Sequence, residues 1–194
     1  MTTPDLRGRT ALIVGDVQNG IVKAFGDDDA FVERVGAAIT AARAADALVV
    51  YVRVCFRDDY ADVSPRNRGF AAVAQNGGLR EDSEDTQIDA RIAPQPGDVV
   101  MTKRRVSAFA GNDLDVVLRS RGVTDLVLAG IATSGVILST VRAAADQDFS
   151  LTVLSDGVKD NDEEVHRVLV EKVFPRQADV VTVAEWTDAL VPVA

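Results

Sequence analysis

The sequence predicts a three-layer α/β fold, in which a parallel sheet lies between helices, and two patterns support this. Short, continuously apolar segments alternate along the chain with segments whose apolar residues recur every three or four positions. The first pattern is typical of strands buried on both faces, and the second of helices with one buried face. Such alternation indicates parallel strands joined by right-handed helical crossovers.

The first part of the chain begins with a strand at residues 10–15 that stops at Asp16. A helix is predicted from Asp29 onward, because apolar residues recur there at steps of three and four. A second buried strand is predicted at residues 47–56. Residues 57–97 contain scattered prolines and glycines and a cluster of acidic residues, which predicts a long excursion with little regular structure.

After this excursion the alternation resumes. The predicted strands are residues 98–102, 124–130, 150–155 and 179–183, and the predicted helices are residues 112–121, 136–147 and 162–173 and a short helix through Trp186. At about 150 residues per domain, a chain of 194 residues is expected to form one domain over residues 1–194. In open α/β sheets ligands bind beyond the carboxyl ends of the strands, so functional groups are sought there.

The composition argues against several classes of partner. The chain has 21 Lys and Arg against 30 Asp and Glu, a formal net charge of −9. An acidic surface repels nucleic-acid phosphates and anionic lipids, so neither nucleic acid nor a membrane is expected as a partner. No apolar run approaches the ~18 residues of a membrane span, and no export signal is recognised. A single cysteine, Cys55, fits a reducing compartment, and a cytoplasmic protein is expected.

Three strand ends deliver polar groups to one edge of the predicted sheet. Asp16 ends the first strand, Lys103 ends the third, and a turn at residues 130–136 leads from the fourth strand into a helix, whose free N–H groups can hold negative charge. Each of these polar groups could also have a purely structural role. Asp16 could accept hydrogen bonds from its own turn, and Lys103 opens a basic run that would face solvent. Thr133 and Ser134 would cap the helix.

The same three places carry recognisable motifs, namely ALIVGDVQNG at residues 11–20, KRRVSAFAGNDL at residues 103–114 and GIATSGVILST at residues 130–140. In this order and spacing they resemble the motifs of the isochorismatase-like hydrolase family, part of the cysteine hydrolase superfamily. The resemblance covers nearly the whole chain. It implies a six-stranded parallel sheet and a pocket often completed by a neighbouring subunit, so a homodimer or homotetramer is expected.

Most members of that family are amidases with an aspartate, a lysine and a cysteine nucleophile. The resemblance assigns the first two positions to Asp16 and Lys103, and the nucleophile position falls on Val136. Valine has no lone pair with which to attack a carbonyl, so the acyl-enzyme route is closed. The resemblance also implies a cis peptide bond between Ile131 and Ala132, with the amides of Ala132 and Val136 near the position of an oxyanion.

The branch of the family that hydrolyses isochorismate also lacks this cysteine, because cleavage of a vinyl ether needs only a proton donor and water. In such a scheme Asp16 is the general acid, with a pKa raised by an apolar pocket, and Lys103 orients it or binds a substrate carboxylate. Ser134 and Val136 stand where that branch has a histidine and a glycine, so isochorismate itself is not the expected substrate. The expected function is hydrolysis of a small, anionic molecule.

The substrate pocket is expected to combine the turn with aromatic and basic side chains near the strand ends. Arginine beside aromatic rings suits a planar ligand that carries a carboxylate, although the same aromatic residues could simply fill a lid. The candidate residues are Ala132, Thr133, Phe25, Arg53, Phe56, Tyr60, Arg66 and Phe70. Nicotinamidase-like relatives hold a metal through histidines between the second strand and the lysine motif. Residues 57–102 contain no histidine, so neither a metal nor another cofactor is expected.

Other hypotheses remain open. Cys55 could replace the missing thiol, although a lone cysteine in an apolar strand is usually a small buried hydrophobe. A triad of Ser134 or Thr133 with the only histidine, His166, is not expected, because His166 lies in a charged segment that predicts a solvated helix face. The alternative from another class is a non-catalytic relative that binds a small molecule or serves as a scaffold.

Overall fold

A computed structural model, which describes residues 9–190, confirms the three-layer α/β fold. Six parallel strands form one sheet: β1 (Arg9–Gly15), β2 (Leu48–Val54), β3 (Val99–Lys103), β4 (Val123–Ile131), β5 (Ser150–Lys159) and β6 (Asp179–Val181). Their spatial order is β3-β2-β1-β4-β5-β6. The order runs outward in both directions from the pair of β1 and β4, so their carboxyl ends form the crevice at which such sheets bind ligands.

Helices cover both faces of the sheet. They are α1 (Asn19–Ala24), α2 (Asp29–Ala44), α3 (Arg68–Gln75), α4 (Leu114–Ser120), α5 (Leu138–Ala145), α6 (Glu163–Val168) and α7 (Val183–Ala189). A kinked turn, Thr133–Ile137, precedes α5, and its Gly135 has a non-helical backbone with φ of −98° and ψ of −106°. A single π-helical turn, Leu169–Val173, follows α6. No helix within residues 9–190 is long and apolar enough to cross a bilayer.

Two hydrophobic clusters, one on each face, hold the layers together. On one face α2 and α7 bury side chains such as Phe31 and Trp186 against β1 and β4. On the other face α4 and α5 bury Leu118 and Val141 against the same strands. Because every central strand is covered on both sides, its residues are apolar without alternation, which is the pattern from which the strands are predicted.

Most of the predicted elements are present, and the differences lie in short or exposed segments. Helix α2 begins at Asp29 as predicted, with the Asp28 carboxylate accepting the Phe31 N–H at 3.0 Å. Helix α1 has no counterpart in the prediction, because six residues are too few to show a helical period. Residues 57–97 are more regular than expected, since they contain α3, an eight-residue helix without a buried residue. Strand β5 continues to Lys159, beyond its predicted end.

Gly130 allows β1 and β4 to approach each other at the crevice. Its φ is +133°, which side-chain-bearing residues rarely adopt. A Cβ atom built on Gly130 would lie 2.0 Å from the carbonyl oxygen of Gly15, so the two strand ends would have to separate. The residue that follows Gly15 is Asp16, and this close approach therefore positions the candidate acid.

We expect Gly130→Ala to lower the free energy of unfolding by more than about 3 kcal/mol, because the methyl group collides with backbone rather than with a movable side chain. Gly26→Ala is the matched control. Gly26 also has a positive φ, +93°, but no atom lies within 4 Å of the added Cβ, so only about 1 kcal/mol is expected. Urea unfolding measures the free energy of unfolding of both variants. Equal losses in the two variants would contradict the close approach of Gly130 to Gly15.

Candidate functional site

Asp16 and Lys103 meet in the crevice at the carboxyl ends of the strands. The Asp16 Oδ2 and Lys103 Nζ atoms are 2.8 Å apart, and the two residues are only 6% and 1% exposed. Lys103 Nζ also donates to the carbonyl oxygen of Arg105 at 3.0 Å. The alternative in which Lys103 faces solvent is therefore wrong. A charged run after a strand is usually solvated, but here the first residue of the run still belongs to β3 and points inward.

The second carboxylate oxygen of Asp16, Oδ1, is not paired with Lys103. Oδ1 is buried and has no hydrogen-bond partner among the described residues. Burial raises the pKa of Asp16 to about 6, and the neighbouring Lys103 opposes this rise only in part. The Asp16 backbone is left-handed, with φ of 57°, a conformation that aspartate tolerates better than most residues. The site thus contains a carboxyl that can hold and release a proton near neutral pH.

The turn after β4 packs against Gly15, the residue that precedes this aspartate. The peptide bond between Ile131 and Ala132 is cis, at the position where the resemblance implies one. The carbonyl oxygen of Ala132 accepts the N–H groups of Gly135 and Ile137 at 3.1 and 3.2 Å. Val136 is buried, and its two methyl groups would lie 3.0 and 3.1 Å from a Cβ on Gly15. An inert aliphatic side chain therefore packs on the residue immediately before Asp16.

Gln18 is a structural member of the site that sequence reasoning missed. Its side chain is fully buried and accepts the Val54 N–H at 2.8 Å. Its Nε2 donates to the carbonyl oxygens of Val54 and Thr86 at 3.0 and 2.9 Å. Gln18 therefore ties the ends of β1 and β2 to the segment that returns from the excursion. Its place two residues after Asp16 is the only signal in the sequence, and a solvated glutamine would look the same.

Arg104, next to Lys103, holds the excursion against the strand ends. Its Nη2 lies 2.7 Å from Glu81 Oε2, and its Nε lies 3.2 Å from Asp62 Oδ2. Its Nη1 donates to the carbonyl oxygen of Cys55. Partners that lie more than 20 positions away in the chain leave no local pattern, so this role could not be predicted from the basic run.

Cys55 does not have the environment of a reactive thiol. The residue has no exposed surface, and burial raises the pKa of its thiol. Its Sγ lies 3.5 Å from Arg104 Nη1, but the same arginine is paired with two carboxylates. A protonated, inaccessible thiol is a poor nucleophile, and the surroundings fit the small buried hydrophobe.

The candidate pocket residues divide into separate groups. Phe56 makes an edge-to-face contact with Phe70, with ring centroids 5.0 Å apart, and lies 6.5 Å from the Tyr60 ring. Phe25 packs against the cluster on the α2 face, and Arg53 Nε donates to Thr102 Oγ1 at 3.2 Å. Arg66 is exposed. No aromatic contact within residues 9–190 joins Phe25 to the other rings. The role of these residues in binding a substrate stays a prediction.

His166 differs from the prediction of a solvated helix face. The ring is half-buried, and its Nδ1 lies 2.9 Å from the Oγ1 atom of Thr133, which has no exposed surface. Burial lowers the pKa of His166, while Asp160 raises it. One inward residue on a six-residue helix leaves no periodic signal, because its neighbours Glu163, Glu164 and Arg167 are exposed.

The prediction that Thr133 and Ser134 cap the following helix is also wrong. Neither the turn Thr133–Ile137 nor α5 has a side-chain N-cap. The Thr133 hydroxyl is bonded to His166, and the backbone N–H of Ser134 donates to Asp160 Oδ2 at 2.7 Å. Asp160 follows β5 and His166 lies in α6, so neither contact can be predicted from the local sequence around Thr133 and Ser134.

Metal binding has no visible basis in this part of the chain. Among residues 9–190 no group of three or more His, Cys, Asp or Glu side chains is arranged to hold a metal ion. The expectation of a site without metal or other cofactor stays a prediction.

Fold and site together define a class of protein: an open parallel α/β protein with a buried carboxyl–ammonium pair where the strand order reverses. The family described as "Isochorismatase domain" matches residues 10–185, and the chain belongs to this family.

Comparisons with known proteins agree with this assignment. The chain is 33% identical over 184 residues to YecD of Escherichia coli O157:H7, described as an uncharacterized isochorismatase family protein, with 93% of this chain and 96% of the relative covered. A solved cysteine hydrolase from Pseudomonas syringae pv. phaseolicola 1448A is similar at 27% identity, with a TM-score of 0.85 and 97% of both chains covered. An isochorismatase family protein from Burkholderia thailandensis is similar at 31% identity, with a TM-score of 0.80 and 97% and 99% of the chains covered.

The burial of Cys55 predicts that its thiol is protected in the folded protein. We expect Ellman's reagent to react slowly with the native chain and to release one equivalent per chain within minutes in urea, since the chain has one cysteine. The absorbance of the released thiolate measures both rates. A native rate equal to the denatured rate would contradict the burial of Cys55.

Proposed function

We propose that this protein is a hydrolase that acts on a small, anionic molecule by proton transfer from Asp16, without a covalent cysteine intermediate. One observation carries the proposal: a buried carboxyl, whose Oδ1 has no hydrogen-bond partner within residues 9–190, has its other oxygen 2.8 Å from the Lys103 ammonium. The family membership supports hydrolysis, and Val136, which packs against Gly15 next to Asp16 in the chain, offers no atom that could form an acyl intermediate.

The Asp16–Lys103 pair suits general acid catalysis, because the surroundings of Asp16 favour both the protonated carboxyl before proton transfer and the carboxylate after it. Before reaction, burial raises the pKa of Asp16 to about 6, so the carboxyl carries its proton at pH values below this and in a minor fraction of molecules at neutral pH. As the proton leaves, the carboxylate that develops lies next to Lys103, whose charge stabilises it more strongly than it stabilises the neutral acid. The requirement for a raised pKa and the presence of a close ammonium are therefore compatible, because burial sets the starting state and Lys103 stabilises the product of proton transfer.

The reaction can be written for an enol ether, the substrate type that needs no nucleophile on the enzyme. Asp16 gives its proton to the terminal alkene carbon, and the electron pair of that double bond forms the new C–H bond. The resulting oxocarbenium ion adds water at carbon and returns one water proton to Asp16. The hemiketal then breaks its C–O bond to release an alcohol and a ketone, so one water molecule is consumed and the acid is regenerated.

An anionic substrate is supported by the cations near the strand ends. Arg53 is the penultimate residue of β2 and Lys103 is the last residue of the neighbouring β3, and Arg53 donates to the uncharged hydroxyl of Thr102, its partner in the register. No carboxylate within residues 9–190 lies within 4 Å of the Arg53 guanidinium, whereas Arg104 is neutralised by Glu81 and Asp62. Arg53 is therefore available for a substrate carboxylate. The rings of Phe56 and Phe70 and the backbone of the turn at Ala132 and Thr133 are further proposed contacts.

We further propose that the protein is a single domain that acts in the cytoplasm as a homodimer or homotetramer, with no nucleic-acid or membrane partner and no cofactor. The family resemblance supports the oligomer, because pockets of this family are often completed by a second subunit. The net charge of −9 supports the absence of nucleic-acid and membrane partners.

The second candidate function is non-catalytic binding of a small molecule or scaffolding, and Val136 at the expected nucleophile position favours it. The two candidates differ in turnover. A panel of small vinyl ethers, esters and amides that carry a carboxylate should contain at least one compound that the wild type hydrolyses. If none is hydrolysed while Asp16→Asn still binds members of the panel in calorimetry, the non-catalytic function is correct.

For an enol ether that the wild type hydrolyses, we expect kcat/KM to be highest below pH 6 and to fall tenfold per pH unit above it, because only the protonated carboxyl donates. Asp16→Asn should lower kcat by about 10² to 10⁴-fold. Asp188→Asn, an exposed aspartate on α7, is the control and should be unchanged. A rate that rises through pH 6 would instead make Asp16 a base and would contradict its role as donor.

Val136→Cys tests whether position 136 is that of the family nucleophile. The change removes little volume, so the fold should persist. It should create thiol-dependent hydrolysis of activated esters, with an acyl-enzyme visible by mass spectrometry, because Asp16 and Lys103 are already in place. The experiment is made in a Cys55→Ala background, which should retain full native activity. Val136→Ala is the control and should form no adduct. Loss of activity in Cys55→Ala alone would favour the Cys55-dependent hydrolase.

A further inference from the structure

A second polar cluster lies beside the turn after β4, and the proton transfer from Asp16 does not use it. Thr133 Oγ1 lies 2.9 Å from His166 Nδ1, and the hydroxyl belongs to a residue without exposed surface. A buried hydroxyl that loses its partner costs about 1 to 3 kcal/mol, so this hydrogen bond constrains where Thr133 can lie. Because the Thr133 side chain is inaccessible, it is not placed to attack a substrate, and the pair calls for an explanation other than nucleophilic catalysis.

The corner between β5 and α6 contacts two consecutive residues of the turn. Besides the bond from His166 to Thr133, Asp160 Oδ2 accepts the backbone N–H of Ser134 at 2.7 Å. The corner itself is fixed, because Asp162 Oδ1 caps α6 by accepting the N–H groups of Glu164 and Val165, both at 3.0 Å. The turn is therefore held from one side by a corner with a defined conformation.

On its other side the turn packs against the residue that precedes the candidate acid. Val136 and Ile137 are buried in the same hydrophobic cluster as Leu169, which follows α6. The methyl groups of Val136 pack against Gly15, and Asp16 follows Gly15 in the chain. Contacts thus run continuously from His166 through Thr133 and the turn to the residue before Asp16.

We propose that His166 is a positioning residue, which holds Thr133 and thereby keeps the turn at residues 131–136 packed against Gly15, the residue before Asp16. This inference rests on the proposed function for its effect on rate, but its effect on the surroundings of Asp16 does not depend on turnover. If the turn loosens, water reaches the carboxyl and the burial that favours its protonated form is lost.

The test uses pairs of variants that separate the hydrogen bond from the rest of the side chain. His166→Ala and Thr133→Val remove the bond, the second with little change of shape. His166→Asn retains a polar atom near the place of Nδ1, and Thr133→Ser retains the hydroxyl. Arg167→Ala is the control, since Arg167 lies on the same helix but within residues 9–190 pairs only with exposed Glu164 and Glu171.

The first readout is spectroscopic and needs no substrate. The chain has one histidine, so its ring nitrogen signals in ¹⁵N NMR belong to His166, and Thr133→Val should shift the Nδ1 signal. A ¹³C titration of the Asp16 carboxyl should show its pKa fall from about 6 towards 3.8 in His166→Ala and Thr133→Val. His166→Asn, Thr133→Ser and Arg167→Ala should keep the value of the wild type.

The second readout is kinetic, on an enol ether that the wild type hydrolyses. We expect kcat to fall about tenfold or more in the two variants without the bond, because a displaced turn disturbs the reacting geometry. KM should change less than threefold, and the double variant should be no worse than either single one.

The two readouts distinguish failure of this inference from failure of the proposed function. If the wild type hydrolyses nothing but the Asp16 pKa falls in His166→Ala, the proposed function fails and the positioning role stands. An Asp16 pKa and a kcat that are unchanged in both His166→Ala and Thr133→Val overturn the inference. If His166→Ala does not fold, Thr133→Val against Thr133→Ser gives the same decision.

Discussion

The exclusion of water from the Asp16–Lys103 pair is the constraint on which the site depends. A carboxyl and an ammonium group that leave water lose several kcal/mol of hydration each, and a single contact at 2.8 Å recovers this only if the surroundings are well ordered. The benefit is chemical rather than stabilising. Burial raises the pKa of Asp16 to about 6, which an exposed aspartate beside a lysine would not reach.

The elements around the pair bind one another through Gln18 and Arg104, and no group among the described residues binds Asp16 Oδ1. Gln18 uses both ends of its amide to join β1, β2 and the segment near Thr86. Arg104 joins the strand end to Glu81 and Asp62. A buried polar group without a partner is costly, and among the described residues two side-chain oxygens are in this state, Ser83 Oγ and Asp16 Oδ1. Of the two, only Asp16 Oδ1 belongs to the carboxyl–ammonium pair, so it is the atom of this pair that is available to a ligand.

The turn after β4 links packing to chemistry. Val136 fills the space against Gly15, and Gly130 allows the neighbouring strands to approach closely enough for that contact. On the far side, Asp160 and His166 bind the turn through Ser134 and Thr133. His166, which is more than 30 positions from Thr133 in the chain, is thereby connected through the turn to Gly15, the residue before Asp16.

The sequence by itself determined the layer architecture and the strand ends that carry Asp16, Lys103 and the turn. Buried parallel strands need unbroken apolar runs, and the residues that end them are read directly from the point where each run stops. Only the tertiary structure decided that Lys103 points inward, that His166 binds Thr133, that Gln18 and Arg104 bind distant backbone and carboxylates, and that α3 interrupts the excursion. These contacts join residues far apart in the chain, or lie in segments too short to show a period, and local patterns hold no information about either.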